Sequence, residues 1–342
     1  MLNVMNRLFS TALLLLSMYH APVNAQTIFV DPVNGKDSQA GSAGKPMATL
    51  AEAVAAANAF SGKEPVTIKL QPGLYMLTDK LTLRLPATRT KGLRYVIEAA
   101  IMPDDTAWRP EKMPVIQSVS GINFSTGFQH AVGFLVQTED VSFRGLKFAG
   151  NANPAVNYYY PINKKDSLIG GLEVSQCYFS GNRYGAPIQG AVWSQGPNTV
   201  IDHCVFYNCK NALLFFKQVE GFSVTNTVIY GAYESAMWVW LQNGQFTFRN
   251  NMVANCPYFW VIAPDSQPKT RFEHSQFLNV GQYAGNSITM EITPAKDVVF
   301  NMVDVKRLNN VDVLAAKEPS QAEIPGFSAN YANGAGLFKI KH

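Results

Sequence analysis

The sequence has 342 residues, of which 47% are hydrophobic and 15% are charged, and its formal net charge is +4. This composition is typical of a globular protein and excludes an intrinsically disordered chain. The positive charge is not concentrated in a block of lysine and arginine, so nucleic acid is not an expected partner. The net charge is compatible with an acidic substrate but does not require one. Length alone allows one large domain or two, and the repeats described below favour one.

The first 25 residues have the layout of a secretory signal peptide. Arg7 gives a positive start, residues 8–16 form an apolar run, and residues 23–25 form a small-x-small cleavage site. No later run approaches the roughly 18 apolar residues that a membrane span needs. We therefore predict a single mature domain of residues 26–342 that is secreted or periplasmic and does not associate with a membrane.

The mature chain opens with one helix among short strands. Residues 49–60 carry the strong helix signal, with Thr49 as N-cap, Glu52 three residues later and an alanine-rich interior. Residues 66–70 and 75–77 alternate on either side of a Pro-Gly turn, which predicts strand, turn, strand. An amphipathic helix placed before a repeat would cap the open end of its first coil.

This opening resembles that of secreted right-handed parallel β-helix proteins of the pectin-lyase-like superfamily. The matching stretches are FVDPVNGKDSQAGSAGKPMATLAEAV at residues 29–54 and IKLQPGLY at residues 68–75. With the repeats that follow, the resemblance covers nearly the whole mature chain. It implies an all-β fold, a right-handed parallel β-helix with an N-terminal α-helical cap. It implies little about activity, because this opening occurs on proteins with many different chemistries.

One phrase recurs along residues 172–280. Each copy has an apolar anchor, a polar residue two places on, a small residue next and then a second large apolar residue. The anchors are 27, 23, 24 and 24 residues apart, which is typical of a solenoid. They are Val174, Ile201, Val224, Phe248 and Phe272. A further copy is anchored at Phe143, an insertion at residues 151–169 should edge the functional face, and the irregular residues 308–342 should cover the C-terminal end.

Aligned copies place like residues in columns, because every coil of a parallel stack repeats the same strands and turns. Two columns of polar or small residues should hydrogen-bond along the stack at a bend. They are Gln176, His203, Asn226, Asn250 and His274, followed by Cys177, Cys204, Thr227, Asn251 and Ser275. A third column contains only glycine and asparagine, which accept left-handed backbone angles. It consists of Gly181, Asn208, Gly231, Asn255 and Asn279.

The four cysteines leave two interpretations open. Cys177 and Cys204 share a column on adjacent coils, about 4.8 Å apart, which is within reach of a disulfide. Cys209 and Cys256 share another column, but an intervening coil separates them by roughly 9.6 Å, too far for a bond. The alternative is that all four are small buried hydrophobic side chains. Their spacing matches no zinc site.

A second strand follows each glycine or asparagine turn, and its aligned copies give a candidate sugar-binding surface. An aromatic column is followed, two positions later, by a column that carries charge, which predicts that both face outward. The aromatic column is Trp193, Phe215, Trp238 and Trp260, and the second column is Gln195, Lys217, Trp240 and Glu291. An outward row of aromatic rings with charge between them is typical of a surface that binds a sugar chain. The alternative is that residues 151–169 or another loop bury these rings.

Residues in the turns before these strands extend the candidate site. β-Elimination of a uronate needs a cation to neutralise the carboxylate and a base to take the C5 proton. We assign one of these roles to Lys217, with Arg183, Lys210 and Glu234 beside it on the same face. Sugar binding is assigned to Trp193, Phe215, Trp238, Trp240, Trp260 and Tyr184. The structural alternatives are a solvated lysine at position 217 and an ion pair that occupies Glu234.

The sequence therefore predicts a secreted protein that acts on polysaccharides, a lyase that cleaves a uronic-acid-containing glycan. Two alternatives stay open, a non-catalytic glycan-binding or surface β-helix protein and a glycoside hydrolase, which needs two converging carboxylates. The proposed face carries no acidic cluster suited to calcium. We expect a polysaccharide or oligosaccharide partner, a monomer, and neither a metal nor a cofactor.

Overall fold

The computed structural model describes residues 26–125, 129–240, 245–264, 266, 269–287, 291–295, 298–311, 313 and 333–339. The predicted signal peptide lies outside these residues. Within them, short strands follow one another at the spacing of the repeats, together with one α-helix and a short 3-10 helix, Pro110–Lys112. The helix is α1 (Leu50–Asn58). The strands are β1 (Gln26–Val30), β2 (Val66–Leu70), β3 (Leu74–Leu77), β4 (Leu81–Leu83), β5 (Tyr95–Ala99), β6 (Val115–Ser118), β7 (Phe124–Ser125), β8 (Gln129–Val136), β9 (Val141–Arg144), β10 (Lys147–Asn151), β11 (Tyr159–Lys164), β12 (Glu173–Ser175), β13 (Tyr178–Ser180), β14 (Gly190–Ser194), β15 (Val200–Asp202), β16 (Val205–Tyr207), β17 (Asn211–Phe215), β18 (Ser223–Thr225), β19 (Val228–Tyr230), β20 (Ser235–Val239), β21 (Thr247–Arg249), β22 (Met252–Ile262), β23 (Arg271–Glu273), β24 (Gln276–Ser287), β25 (Ile292–Pro294), β26 (Asn301–Val303) and β27 (Lys306–Leu308).

Parallel pairing assembles these strands into three faces of a β-helix. The first face is a ten-stranded sheet in the order β1-β2-β5-β9-β12-β15-β18-β21-β23-β26. The second face contains β3, β6, β10, β13, β16 and β19, and the third contains β4, β8, β11, β14, β17 and β20. The long strands β22 and β24 continue through the second and third faces, whereas β7 and β25 form antiparallel pairs. The predicted parallel β-helix is confirmed.

The predicted apolar columns fill the inside of the helix. The five anchors of the repeat are fully buried in one continuous core, and the second apolar column lies beside them. Phe148, Phe179 and Phe206 stack along the axis with ring centroids 4.8 Å apart, the spacing of neighbouring rungs. Similar side chains stacked on successive coils keep the core densely packed, and each of these contacts joins neighbouring coils only.

The bend between the first and second faces uses a left-handed residue on every coil of the repeat. The residues at this position have φ angles from 47° to 56°: Gln176, His203, Asn226, Asn250 and His274. Their neighbours form the predicted hydrogen-bond ladder, because Cys204 donates its N–H to Thr227 Oγ1 and Asn251 donates its N–H to Ser275 Oγ. The polar columns therefore satisfy the turn backbone of the coil before them.

The glycine and asparagine column follows the predicted pattern with one exception. Asn208, Gly231, Asn255 and Asn279 have positive φ angles, as expected for a shared turn, but Gly181 does not. Gly181 is small for another reason, since a Cβ there would lie 2.5 Å from the carbonyl oxygen of Asn208. Close approach of the next coil, rather than a left-handed angle, excludes a side chain at that position.

The helix predicted at residues 49–60 is present as α1, beside the first coil. The Thr49 hydroxyl accepts the N–H of Glu52 at 3.3 Å, which is the predicted N-cap contact. Leu50, Val54 and Ala57 are buried, and α1 packs on β1, β2 and β4. Among the described residues, no helix is long and apolar enough to cross a membrane.

The outer side of the second face is covered by protein. Tyr178, Val205 and Val228 point away from the main core and form a second apolar cluster with Trp108 and Phe338. Residues 333–339 reach this cluster, where Gly336 donates its N–H to the carbonyl of Asn226 at 2.9 Å. The prediction that the C-terminal residues cover the end of the stack is therefore wrong for residues 333–339, which run along its side because that side is apolar.

The four cysteines are buried free thiols. Cys177 and Cys204 occupy adjacent coils, as the column predicted, but their sulfurs lie 3.4 Å and 3.3 Å from the carbonyl oxygens of Phe143 and Val174. The structure thus agrees with the second interpretation of the sequence, in which these residues act as small core side chains.

Candidate functional site

The third face carries aromatic side chains on its outer side, and strand register decides which ones. Trp193 pairs with Leu214, Leu214 with Trp238, and Trp238 with Val261. Trp193 and Trp238 are half-buried and point outward, whereas their strand neighbours Val192 and Met237 belong to the core. The outward column is therefore Asn163, Trp193, Leu214, Trp238 and Val261.

The predicted aromatic column is wrong at two of its four positions. Phe215 and Trp260 are fully buried in the core, and the Trp260 indole Nε1 donates to the carbonyl of Val239 at 2.8 Å. Strand side chains alternate between the two sides, so a one-residue error in aligning coils of unequal length moves a residue to the opposite side. Neither side chain is available to a ligand.

Five rings form a continuous aromatic row on the outer side. We call Tyr160, Trp193, Phe216, Trp238 and Trp240 the aromatic row. The ring of Trp193 lies 4.8 Å from Tyr160 and 6.4 Å from Phe216. Phe216 in turn lies 6.3 Å from Trp238 and 5.3 Å from Trp240. Sequence reasoning missed Tyr160 and Phe216, although the three tyrosines at 158–160 and the Phe-Phe pair at 215–216 were visible signals.

The two half-buried tryptophans of this row have unused hydrogen-bond donors. The indole Nε1 atoms of Trp193 and Trp238 are shielded from solvent and have no partner within the described part of the chain. A buried indole N–H normally finds an acceptor, because leaving it unpaired costs free energy. Donors of this kind beside aromatic rings fit a ligand that carries many hydroxyl or ether oxygens.

A histidine extends the aromatic row on its β8 side. The His130 ring lies 5.0 Å from the ring of Tyr160 and 5.8 Å from that of Trp193. Burial lowers the pKa of His130, so the neutral imidazole is favoured near neutral pH. The sequence pattern gave no signal for this residue, because β8 lies outside the aligned repeats.

The edge of the third face where its strands begin holds three of the four predicted catalytic residues. Lys210 Nζ forms an ion pair with Glu234 Oε1 at 3.0 Å, which is the structural alternative considered for Glu234. The other Glu234 oxygen accepts from Asn211 Nδ2 at 2.7 Å. The Arg183 guanidinium lies over the Tyr233 ring at 5.0 Å. These contacts hold the charged groups in place.

Tyr184 stands apart from these contacts at the same edge. Its side chain is 90% exposed, and the Arg183 guanidinium lies 5.6 Å from its ring. The predicted sugar-binding tyrosine is therefore accessible.

Lys217 lies at the opposite edge, where the strands end. Lys210 precedes β17 and Lys217 follows it, so seven residues of extended chain, or about 20 Å, separate them. The prediction that Arg183, Lys210 and Glu234 lie beside Lys217 is therefore wrong. Lys217 instead lines a separate groove of about 580 Å³. We call it the lysine groove and define it by Phe124, Gln137, Lys165, Asp166, Gln195 and Lys217.

Glu234 and Asp166, two carboxylates at opposite edges of the third face, are at least as far apart as these lysines. Glu234 precedes β20, and Asp166 follows β11 at the other edge, so the strand length again separates them by about 20 Å. Glycoside hydrolysis by paired carboxylates requires roughly 5 to 9.5 Å. Within the described residues, no group of three or more His, Cys, Asp or Glu side chains is placed to hold a metal ion.

Comparison with known proteins identifies the architecture. The family model described as right handed beta helix region matches residues 116–289. None of the curated protein sequences compared with this chain matches it.

Three solved structures are similar to this chain. One is the GH136 lacto-N-biosidase from Eubacterium ramulus, with 11% identity, 76% of this chain and 57% of that chain covered, and a TM-score of 0.46. The second is the pectate lyase Pel9A, with 14% identity, coverage of 92% and 88%, and a TM-score of 0.45. The third is a rhamnogalacturonan lyase, with 13% identity, coverage of 93% and 96%, and a TM-score of 0.42. This chain thus spans little more than half the length of the lacto-N-biosidase.

Proposed function

The chain belongs to the family of right-handed β-helix proteins, and we propose that it binds a polysaccharide along its aromatic row. The observation that carries this proposal is the pair of unused indole donors, Trp193 Nε1 and Trp238 Nε1, within a continuous row of rings. A sugar chain offers both apolar ring faces and hydroxyl oxygens, so it can pack on the rings and accept from the indoles.

The first test separates the indole donor from the aromatic ring. Trp193→Phe and Trp238→Phe each keep a ring but remove a donor, so each should weaken binding of a recognised glycan roughly fivefold. Neither change should lower the free energy of unfolding by the loss of a hydrogen bond, because neither donor has a partner among the residues that the structure describes. Binding is measured by affinity electrophoresis and titration calorimetry on neutral and acidic polysaccharides.

The control is Leu74→Ala, which removes an exposed apolar side chain from the second face. It should leave glycan binding unchanged. If the wild-type protein bound no polysaccharide in a broad panel, or if both Phe variants bound as well as the wild type, the proposal would be wrong.

A second candidate function is β-elimination of a uronic-acid-containing glycan. Lys217 favours it, because this lysine is exposed and forms no ion pair within the described residues. It is thus free to neutralise a substrate carboxylate, whereas Lys210 is engaged by Glu234. Arg183 and Lys210 lie too far from Lys217 to act on the same sugar unit, so in this proposal they contact a different unit of the chain.

A lyase test distinguishes this candidate from binding alone. Elimination creates a conjugated double bond, so incubation with a lyase substrate raises the ultraviolet absorbance of the product. We expect that increase on an acidic glycan and its loss in Lys217→Gln. Binding without any unsaturated product would show a non-catalytic glycan-binding protein.

A further inference from the structure

The lysine groove contains two cationic side chains that the protein itself does not neutralise. Neither Lys165 nor Lys217 forms an ion pair within the described residues, and Lys165 Nζ instead lies 5.6 Å from the centre of the Phe124 ring. The one carboxylate of the groove, Asp166, accepts the N–H of Leu168 through Oδ1 at 2.9 Å. The groove therefore has an excess of positive charge beside an apolar ring.

Asn163 connects this groove to the aromatic row. It lies in the outward column between Leu135 and Trp193, two residues before Lys165, which directly follows β11. Its side chain is fully buried, yet among the described residues neither its amide nitrogen nor its amide oxygen has a hydrogen-bond partner. A fully buried amide with both atoms unused is rare in a folded protein, and this one lies next to Trp193, where the aromatic row meets the segment that leads to Lys165.

Lys164, on the opposite side of the same strand, fixes the walls of the groove. Its Nζ donates to the carbonyl oxygen of Ile169 at 2.8 Å and to that of Gln195. These contacts tie the segment after Lys165 and the end of β14 to one buried ammonium group. The part of the groove wall between Lys165 and Gln195 is thus held by a side chain from the interior of the β-helix.

The groove also lies in line with the aromatic row. Gln195, Phe216 and Trp240 occupy successive coils at equivalent positions, since Ser194 pairs with Phe215 and Phe215 with Val239. Lys165 occupies the same position one coil earlier than Gln195, because Lys164 pairs with Ser194. A chain that packs on Trp240 and Phe216 therefore reaches Gln195 and Lys165 within about 15 Å, at 4.8 Å per rung.

We infer that the lysine groove binds an anionic substituent, a carboxylate or a sulfate, of the sugar chain that lies on the aromatic row. This inference rests on the proposed function. Lys165 and Lys217 neutralise the anion, and the amide of Gln195 bonds to its oxygens or to the adjacent hydroxyls. Because the groove borders the coils of β11, β14 and β17 and not that of β20, the anionic unit also sets where along the row the bound chain is anchored.

The experiment compares three oligosaccharide probes on the full-length protein. They are an oligogalacturonate, which carries carboxylates, a carrageenan oligosaccharide, which carries sulfates and no carboxylate, and a neutral cello-oligosaccharide. Lys165→Gln and Lys217→Gln should each weaken binding of an anionic probe by about tenfold, the value of one charge-assisted hydrogen bond, and leave the neutral probe unaffected. Added salt should weaken the binding of the two anionic probes and leave the binding of the neutral probe unchanged. Lys45→Gln, at an exposed lysine before α1, is the matched control and should change nothing.

The outcomes separate this inference from the proposed function. If the two lysine variants weaken only the binding of the oligogalacturonate, the groove binds a carboxylate. If they weaken only the binding of the sulfated probe, the groove binds a sulfate. If Trp238→Phe weakened an anionic probe while both lysine variants bound it normally, the groove would not be the anionic subsite, although the glycan function would stand. If the wild type bound none of these probes or of the broader panel, the proposed function and the inference would both be overturned.

Discussion

The side-chain carbonyl oxygen of Asn251 accepts the backbone N–H of Thr227, one coil earlier, at 2.9 Å. The Asn251 amide nitrogen donates to the carbonyl of Val224 at 2.8 Å, and its backbone N–H donates to Ser275 Oγ at 3.1 Å. Asn251 is fully buried, so water does not replace these bonds. One residue at the bend thus joins three coils, through its side chain on one side and its backbone N–H on the other, and this is how the polar column stabilises the stack.

We expect Asn251→Ala to lower the free energy of unfolding by about 1–3 kcal/mol, because it leaves the Thr227 N–H buried without an acceptor. Denaturant unfolding followed by circular dichroism measures the change. Asn309→Ala, at an exposed asparagine, is the control and should fall within about 0.5 kcal/mol of the wild type. An unchanged stability for Asn251→Ala would show that the ladder does not hold the coils together.

Stability at acid pH should depend on Asp202. Its Oδ1 accepts from Thr225 Oγ1 and from Asn226 Nδ2, each at 2.8 Å, and lies 3.0 Å from His203 Nδ1. Burial alone would raise the pKa of Asp202, but the adjacent His203 ring and the hydrogen bonds from Asn226 and Thr225 lower it from 3.8 to about 2. The folded state therefore holds fewer protons than the unfolded state between these values, and the stability from this group is lost as pH falls through that window.

The expected loss is about 2 kcal/mol between pH 4 and pH 2, measured by denaturant unfolding across that range. Asp202→Asn should be less stable than the wild type near neutral pH and should show a shallower decline in acid. Asp79→Asn, at an exposed carboxylate, should keep the wild-type dependence on pH. Parallel acid profiles for the wild type and Asp202→Asn would contradict the assignment.

Two tryptophans that the sequence analysis assigned to sugar binding should behave in opposite ways. Trp260→Ala should cost about 3–5 kcal/mol of stability, because it empties a fully buried position in the core. Trp240→Ala should leave the unfolding midpoint nearly unchanged, since this side chain is 40% exposed, but should weaken glycan binding. Calorimetric melting and glycan titration of both variants check this, and equal effects on stability would mean that the register of the third face is wrong.

The four cysteine thiols should be unreactive in the folded protein. Burial raises the pKa of Cys177 and of Cys256 to about 12, and it raises the pKa of Cys204 and Cys209 as well. Thiolates are the reactive form, so iodoacetamide should modify none of the four in the native state and all four after denaturation without reductant. Mass spectrometry counts the modified thiols, and only two modified residues would reveal a disulfide between Cys177 and Cys204.

The sequence by itself determined the repeating arrangement of core, bend and turn residues in each coil. The inward anchors, the polar bend column and the glycine and asparagine column each recur at a fixed place because every coil must meet its neighbour in the same way. A pattern that repeats for a local physical reason can be read without coordinates, and the predicted ladder of Thr227, Asn251 and Ser275 is present. The N-cap of α1 at Thr49 was equally local and equally predictable.

The tertiary structure alone decided which side of the third face each residue occupies. The coils differ in length there, so sequence alignment left the register uncertain by one residue, and one residue moved Phe215 and Trp260 from the surface to the core. Only the fold separated Lys217 from Lys210 by the length of a strand, and only the fold brought Asn163 beside Trp193 and Lys165 beside Gln195. The columns that build the core are uniform, whereas the residues of the candidate site are each used once, so no repetition in the sequence indicates where they meet.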